Sequence, residues 1–113
     1  MPFEAYRKIV SVLRQHCPLA YPVVIRRVKL NGLDGDCSLH KKKFYIRINN
    51  DMNESGAIDT LLHEWAHGRA WNHLHDALGH DEFEECSHDA SWGVAYSEVY
   101  RVYEKHYLSD IKK

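Results

Sequence analysis

The chain has 113 residues, with 15 Lys/Arg against 16 Asp/Glu, 9 His, a formal net charge of −1 and 44% hydrophobic residues. That length allows one domain with a single modest core, and no apolar run approaches the roughly 20 residues of a membrane span. Cys17, Cys37 and Cys86 are odd in number and widely spaced; without a Cys-x-x-Cys they encode neither a disulfide framework nor a zinc ribbon. The start at Met1, Pro2, Phe3 and Glu4 lacks the basic-then-apolar layout of a signal peptide, so a cytoplasmic protein with free thiols is expected.

Charge is unevenly placed. Residues 1–50 hold ten Lys/Arg against three Asp/Glu, whereas residues 51–113 hold five against thirteen. A polyanion or acidic substrate could lie along the first half and a cation would be drawn to the second. Opposite faces that partly neutralise each other in the fold account for the same pattern.

Phe3, Tyr6, Val10, Leu13 and Cys17 recur every three or four residues, which predicts an amphipathic helix over 3–16, ended by Pro18. His16 is expected to meet the last carbonyls of this helix. Residues 22–30 are β-branched and short, and Asn31, Gly32, Asp34 and Gly35 form a dense turn signal, so a strand and a turn follow. Residues 37–40 form a short second strand. Phe44, Ile46 and Ile48 alternate with Tyr45, Arg47 and Asn49, the period of a half-buried third strand. The expected fold class is α+β, with a small, mostly antiparallel sheet. Lys41, Lys42 and Lys43 with Arg26, Arg27 and Lys29 could form one basic patch on this hairpin, touching phosphates or guarding a sheet edge.

Asp51 with Glu54 resembles a capping box, and a helix is expected from about 53 to 71. It carries His63-Glu64-Trp65-Ala66-His67, a His-Glu-x-x-His pattern. Residues four apart share a helix face, so His63 and His67 can offer two imidazoles to one metal ion. Glu64 then stands beside the ion, where a carboxylate can take a proton from an activated water and return it to a leaving amine. At about 100° per residue, Ile58, Leu61, Leu62 and Trp65 fall on the side opposite the histidines. The helix should therefore be buried by one face and present its imidazoles on the other.

Residues 72–86 read as a loop bearing His73, His75, His80, Asp81, Glu82, Glu84 and Glu85. A last helix is expected from about 87 to 108, N-capped by Ser87, with Trp92, Ala95, Tyr96, Val99 and Tyr103 at helical spacing as core. A catalytic zinc takes three protein ligands and a water. His88 and Glu98 both stand on this last helix, about 15 Å apart along its axis, so only one of them can join His63 and His67. His88 starts the helix and can be aimed back; Glu98, Glu82, Glu84, Glu85 and His80 are the alternatives.

His63-Glu64-Trp65-Ala66-His67, a loop of about twenty residues and then Ser87-His88-Asp89-Ala90-Ser91-Trp92 resemble the SprT-like (Spartan-type) zincin metallopeptidases. The resemblance covers roughly residues 54–103. In that family a third histidine begins a helix, with an aromatic residue four positions later. It implies a zincin-like domain over 1–113, Zn²⁺ on His63, His67 and His88, and Glu64 as general base in peptide-bond hydrolysis. The sequence departs from the family at Asp89, where glycine is usual, and lacks the Cys-rich ribbon that follows many family members' protease core. The expected substrate is a peptide or protein, extended along a sheet edge, with Tyr96, Tyr100 or His80 as candidate oxyanion donors. Nucleic acid is a further candidate partner through the basic half, and no membrane is expected. The rival reading is a zinc-stabilised nucleic-acid- or protein-binding module without catalysis.

Overall fold

The structure, a computed structural model, describes residues 3–71 and 90–109. Helix α1 (Glu4–His16) leads to strand β1 (Val23–Val28), strand β2 (Gly35–His40), strand β3 (Lys43–Asn49), helix α2 (Glu54–Arg69) and helix α3 (Ala90–Tyr103). A π-helical turn, Glu104–Leu108, continues α3. The fold is α+β, with three helices and a three-stranded sheet among the described residues. No helix among those residues is long and apolar enough to cross a membrane. The expected N-cap Ser87 and the loop histidines and carboxylates lie outside the described residues.

The sheet order is β1-β3-β2. Strand β2 pairs antiparallel with β3, as a hairpin must, while β1 runs parallel to β3. The chain crosses from β1 over the end of β3 to reach the far edge. Asn49 staples that crossing: its side-chain amide donates to the Leu30 and Leu33 carbonyls at 3.0 and 2.9 Å, and its backbone N–H donates to Asp34 at 2.7 Å. Strand periodicity marks which residues face inward but carries no information about strand order, so the parallel β1–β3 pair is visible only in the structure.

Register places Val23, Phe44 and Leu39 in one inward row, Ile25, Ile46 and Cys37 in the next, and Arg27, Ile48 and Gly35 in the third. Phe44, Ile46 and Ile48 are fully buried against the helices. On the outer face Arg47 forks onto Asp36, directly across the ladder. Lys43 pairs with His40 at one end of the sheet, whereas Val28, next to Lys29, pairs with Asn49 at the other, roughly 20 Å away at 3.3 Å per residue. Lys43 and Lys29, two members of the possible basic patch, thus lie at opposite ends of the sheet.

Helix α1 buries Tyr6, Ile9 and Leu13 and ends on the buried Cys17; the expected stripe holds at Tyr6, Leu13 and Cys17, with Ile9 in the core where Val10 was expected and Phe3 and Val10 only half-buried. His16 does not cap the helix; its ring stacks on His106 at 3.6 Å. Helix α2 starts as expected, but its cap is Asn53, whose side chain accepts from the Gly56 N–H at 2.9 Å. Glu54 reaches across to the Tyr6 N–H at 3.1 Å, so it joins α2 to α1 instead of closing a capping box with Asp51.

The β2–β3 turn has both central residues, Lys41 (φ 49°) and Lys42 (φ 60°), in the left-handed region. That conformation costs an ordinary L-residue about 1 kcal/mol, and two-residue hairpins of this kind prefer Asn-Gly. Replacing the pair with Lys41→Asn and Lys42→Gly is expected to stabilise the fold by about 1 kcal/mol. A higher urea midpoint at unchanged m-value checks this; an unchanged or lower midpoint contradicts it.

Candidate metal centre

Helix α2 is positioned by its apolar residues. Trp65 is fully buried and its indole N–H donates to the Cys17 carbonyl at 2.8 Å. Leu61, Leu62 and Ala66 complete the packed side. The opposite side is not the open face expected from the helical wheel. His67 is only 6% exposed and Glu64 7%, because α3 covers the histidines and β2 lies against the glutamate. Polar residues and burial coincide on this helix, so an amphipathic reading understates how enclosed the motif is.

His63 and His67 converge as the four-residue spacing requires. Their Nε2 atoms are 3.2 Å apart. Two nitrogens on one tetrahedral zinc, each about 2.0–2.1 Å from the ion, stand about 3.3 Å from each other, so the pair fits a shared ion. A shared cation and a shared proton are the two ways such lone pairs coexist at this distance, and the tautomer of each ring follows from which is present.

Trp92 forms the roof of the pair. Its ring centroid lies 5.1 Å from that of His63 and 5.6 Å from that of His67, and it stacks on Tyr96 at 5.0 Å with 8° between planes. Sequence periodicity assigned Trp92 to the core; the signal for a site role was its place four residues after His88. Ala95 and Val99 of α3 are buried in the core.

Glu64 is set by a close approach of backbone to helix. A Cβ on Gly35 would stand 2.6 Å from the Thr60 methyl and 2.7 Å from the Arg47 carbonyl, with the Glu64 Cγ at 3.5 Å. Gly35 is therefore where α2 rests on β2, not only a turn residue. This contact leaves Glu64 beside β2, one of the two edge strands of the sheet among the described residues, and next in sequence to His63.

The other ligand candidates are distributed as follows. Glu98 accepts from Arg69 Nη2 at 3.2 Å, and Arg69 lies about 240° around α2 from His63, so Glu98 is engaged away from the histidine pair. His88, His80, Glu82, Glu84 and Glu85 lie outside the described residues. Among the described residues, no group of three or more His, Cys, Asp or Glu could hold a metal ion. Of the oxyanion candidates, Tyr96 stands next to Trp92 and its hydroxyl is pushed up by burial and by Asp59 and Tyr100, which keeps it a proton donor. Tyr100 is a ring further along and 40% exposed.

No protein-family model, curated protein or solved structure matches this chain.

Cys37 shares the Glu64 side of α2. Burial pushes its thiol up, and the Glu64 and Asp36 carboxylates push in the same direction. A raised thiol pKa means less thiolate at any given pH, so Cys37 should alkylate with iodoacetamide at pH 8 at least about tenfold more slowly than in the denatured chain. Glu64→Gln should speed that reaction by removing one negative neighbour. Labelling followed by peptide mass mapping reads both, and Cys37 reacting at the denatured rate contradicts the placement.

Proposed function

We propose that this chain is a zinc-dependent peptidase of the zincin type, related to the SprT-like enzymes. The observation that carries the reading is the pair of imidazole nitrogens 3.2 Å apart on one helix face, with the buried carboxylate of Glu64 next to them above an edge strand. Zinc held there supplies Lewis acidity, lowering the pKa of a water toward 7 and polarising the scissile carbonyl.

His63 and His67 would hold the ion, with His88 as the third ligand. His88 is two residues from Ala90, the first residue of α3, and four from Trp92, which touches both histidine rings. That tether limits how far from the pair it can lie, to about 14 Å from Trp92 even fully extended. Glu98, held by Arg69, is the alternative the geometry favours least.

Glu64 accepts the proton from the attacking water on its carboxylate and delivers it to the amine as the peptide bond breaks. Its burial between α2 and β2 restricts its rotamers, so the carboxylate is oriented before substrate arrives. A substrate main chain would pair with β2, an edge strand among the described residues, as in other β-augmentation, bringing an extended peptide past Glu64. Trp92 would shield the imidazoles from water on the α3 side, and Tyr96, stacked on Trp92, is the candidate oxyanion donor.

Glu64→Gln is nearly isosteric and removes the base without touching the ligands. The expected outcome is full zinc content with peptide cleavage reduced by about 10²-fold or more. Measuring both on the same preparation separates this reading from a purely structural zinc site, which predicts no parent cleavage to lose. Cleavage by the variant at the parent rate would sink the mechanism.

A further inference from the structure

On the side of the molecule built from α1 and β1, away from the histidine pair, a groove of about 240 Å³ is lined by Tyr6, Arg7, Val10, Arg14, Ile25 and Arg27. Arg7, Val10 and Arg14 lie on one face of α1, with the two arginines about 10 Å apart along the axis. Ile25 and Arg27 alternate onto the inward face of β1. Three guanidiniums thus border an apolar floor, and none of the six lining residues is acidic.

Two of the three guanidiniums, those of Arg14 and Arg27, are held by contacts, and none of the three is neutralised by an ion pair among the described residues. The Arg27 guanidinium sits 4.1 Å above the Phe3 ring and 5.8 Å from that of Tyr6, a face contact that leaves its in-plane N–H donors directed elsewhere. Arg14 spends one Nη1 bond, 2.9 Å long, on the Val23 carbonyl. Among the described residues the ion pairs formed are Arg47 with Asp36 and Arg69 with Glu98; none involves Arg7, Arg14 or Arg27. Glu54, the carboxylate that reaches Tyr6, accepts from its backbone N–H. The Tyr6 hydroxyl is buried without a hydrogen-bond partner among the described residues, and the whole residue is only 6% exposed.

A buried hydroxyl in a native protein is ordinarily satisfied, and the three exposed guanidiniums beside it offer charge-assisted donors to an anion, so this groove has the composition of a site whose partner is an oxyanion. We propose that it binds a phosphate dianion, free or as the head group of a small monoester, through Arg7, Arg14 and Arg27. Two negative charges against three cations favour a phosphate over a single carboxylate. The volume is below the roughly 300–1,000 Å³ of sites for drug-sized ligands, so it accommodates a head group and not a base-bearing nucleotide.

The test is a titration at fixed ionic strength, following the amide resonances of Tyr6, Arg7, Ile25 and Arg27, with inorganic phosphate in one arm and O-phosphoserine in the other. Saturable shifts in the parent are expected, with affinity falling about tenfold or more in Arg7→Gln and in Arg27→Gln. The tighter of the two probes identifies the source. Arg26→Gln, on the outer face of β1, should bind like the parent. Arg7 is exposed on α1, so its variant keeps the test valid even if loss of the Arg27 stack weakens the fold. Shifts that never saturate, that chloride reproduces, or that survive unchanged in Arg7→Gln would overturn the proposal.

Discussion

The rotation of α2 about its own axis is the constraint on which the rest depends, and the buried hydrogen bond from the Trp65 indole to the Cys17 carbonyl is what sets it. That bond ties the middle of α2 to the residue that ends α1. A large indole has one way to reach an acceptor while filling the surrounding space. Once Trp65 is fixed, the 100° step of the helix leaves no freedom for its neighbours: Glu64 turns toward β2, and His63 and His67 turn toward α3. Truncating Trp65 would therefore disturb the proposed site as well as the core.

Close approach does the remaining positioning. Gly35 lets β2 meet α2 at the level of Thr60 and Glu64, and a Cβ on Gly68 would run into the Leu19 side chain at 2.7 Å. Two positions without side chains thus allow a helix bearing three polar site residues to be packed on nearly all sides. Burial of this kind raises the cost of a misplaced charge and strengthens interactions with any cation held there. The aromatic series from Trp92 through Tyr96, Tyr100 and Tyr103 to Tyr107 continues from the histidines along α3 and the π-helical turn, so the last helix packs by its rings as much as by its aliphatic residues.

The elements were legible because their periods are clean: Leu13 and Tyr6 at helical spacing, Phe44, Ile46 and Ile48 at strand spacing, and His63 with His67 one turn apart. What sequence could not supply was anything that depends on which element lies next to which. Asn49 looked like the polar face of a strand, yet it anchors the crossing that makes β1 parallel to β3. Gly35 looked like a turn residue because a glycine in a strand announces a close contact only when the neighbour is known. Arg27 was grouped with the lysines of the hairpin by sequence proximity; the register and α1 place it with Arg7 and Arg14 instead. Trp92 fitted a core stripe and also lies on the imidazoles, since helical periodicity records burial and not what does the burying. His88 rests on its spacing and on the family resemblance, because it falls outside the described residues.

The central claim is that His63 and His67 bind one catalytic zinc together with a third histidine and an open position. X-ray absorption at the zinc edge, on protein loaded with one equivalent of zinc, tests it most directly. The account predicts one tightly held ion with nitrogen and oxygen neighbours at about 2.0–2.2 Å and outer-shell scattering from three imidazoles. Sulfur at about 2.3 Å, a shell closed by four protein ligands, or failure to hold zinc at all would contradict it.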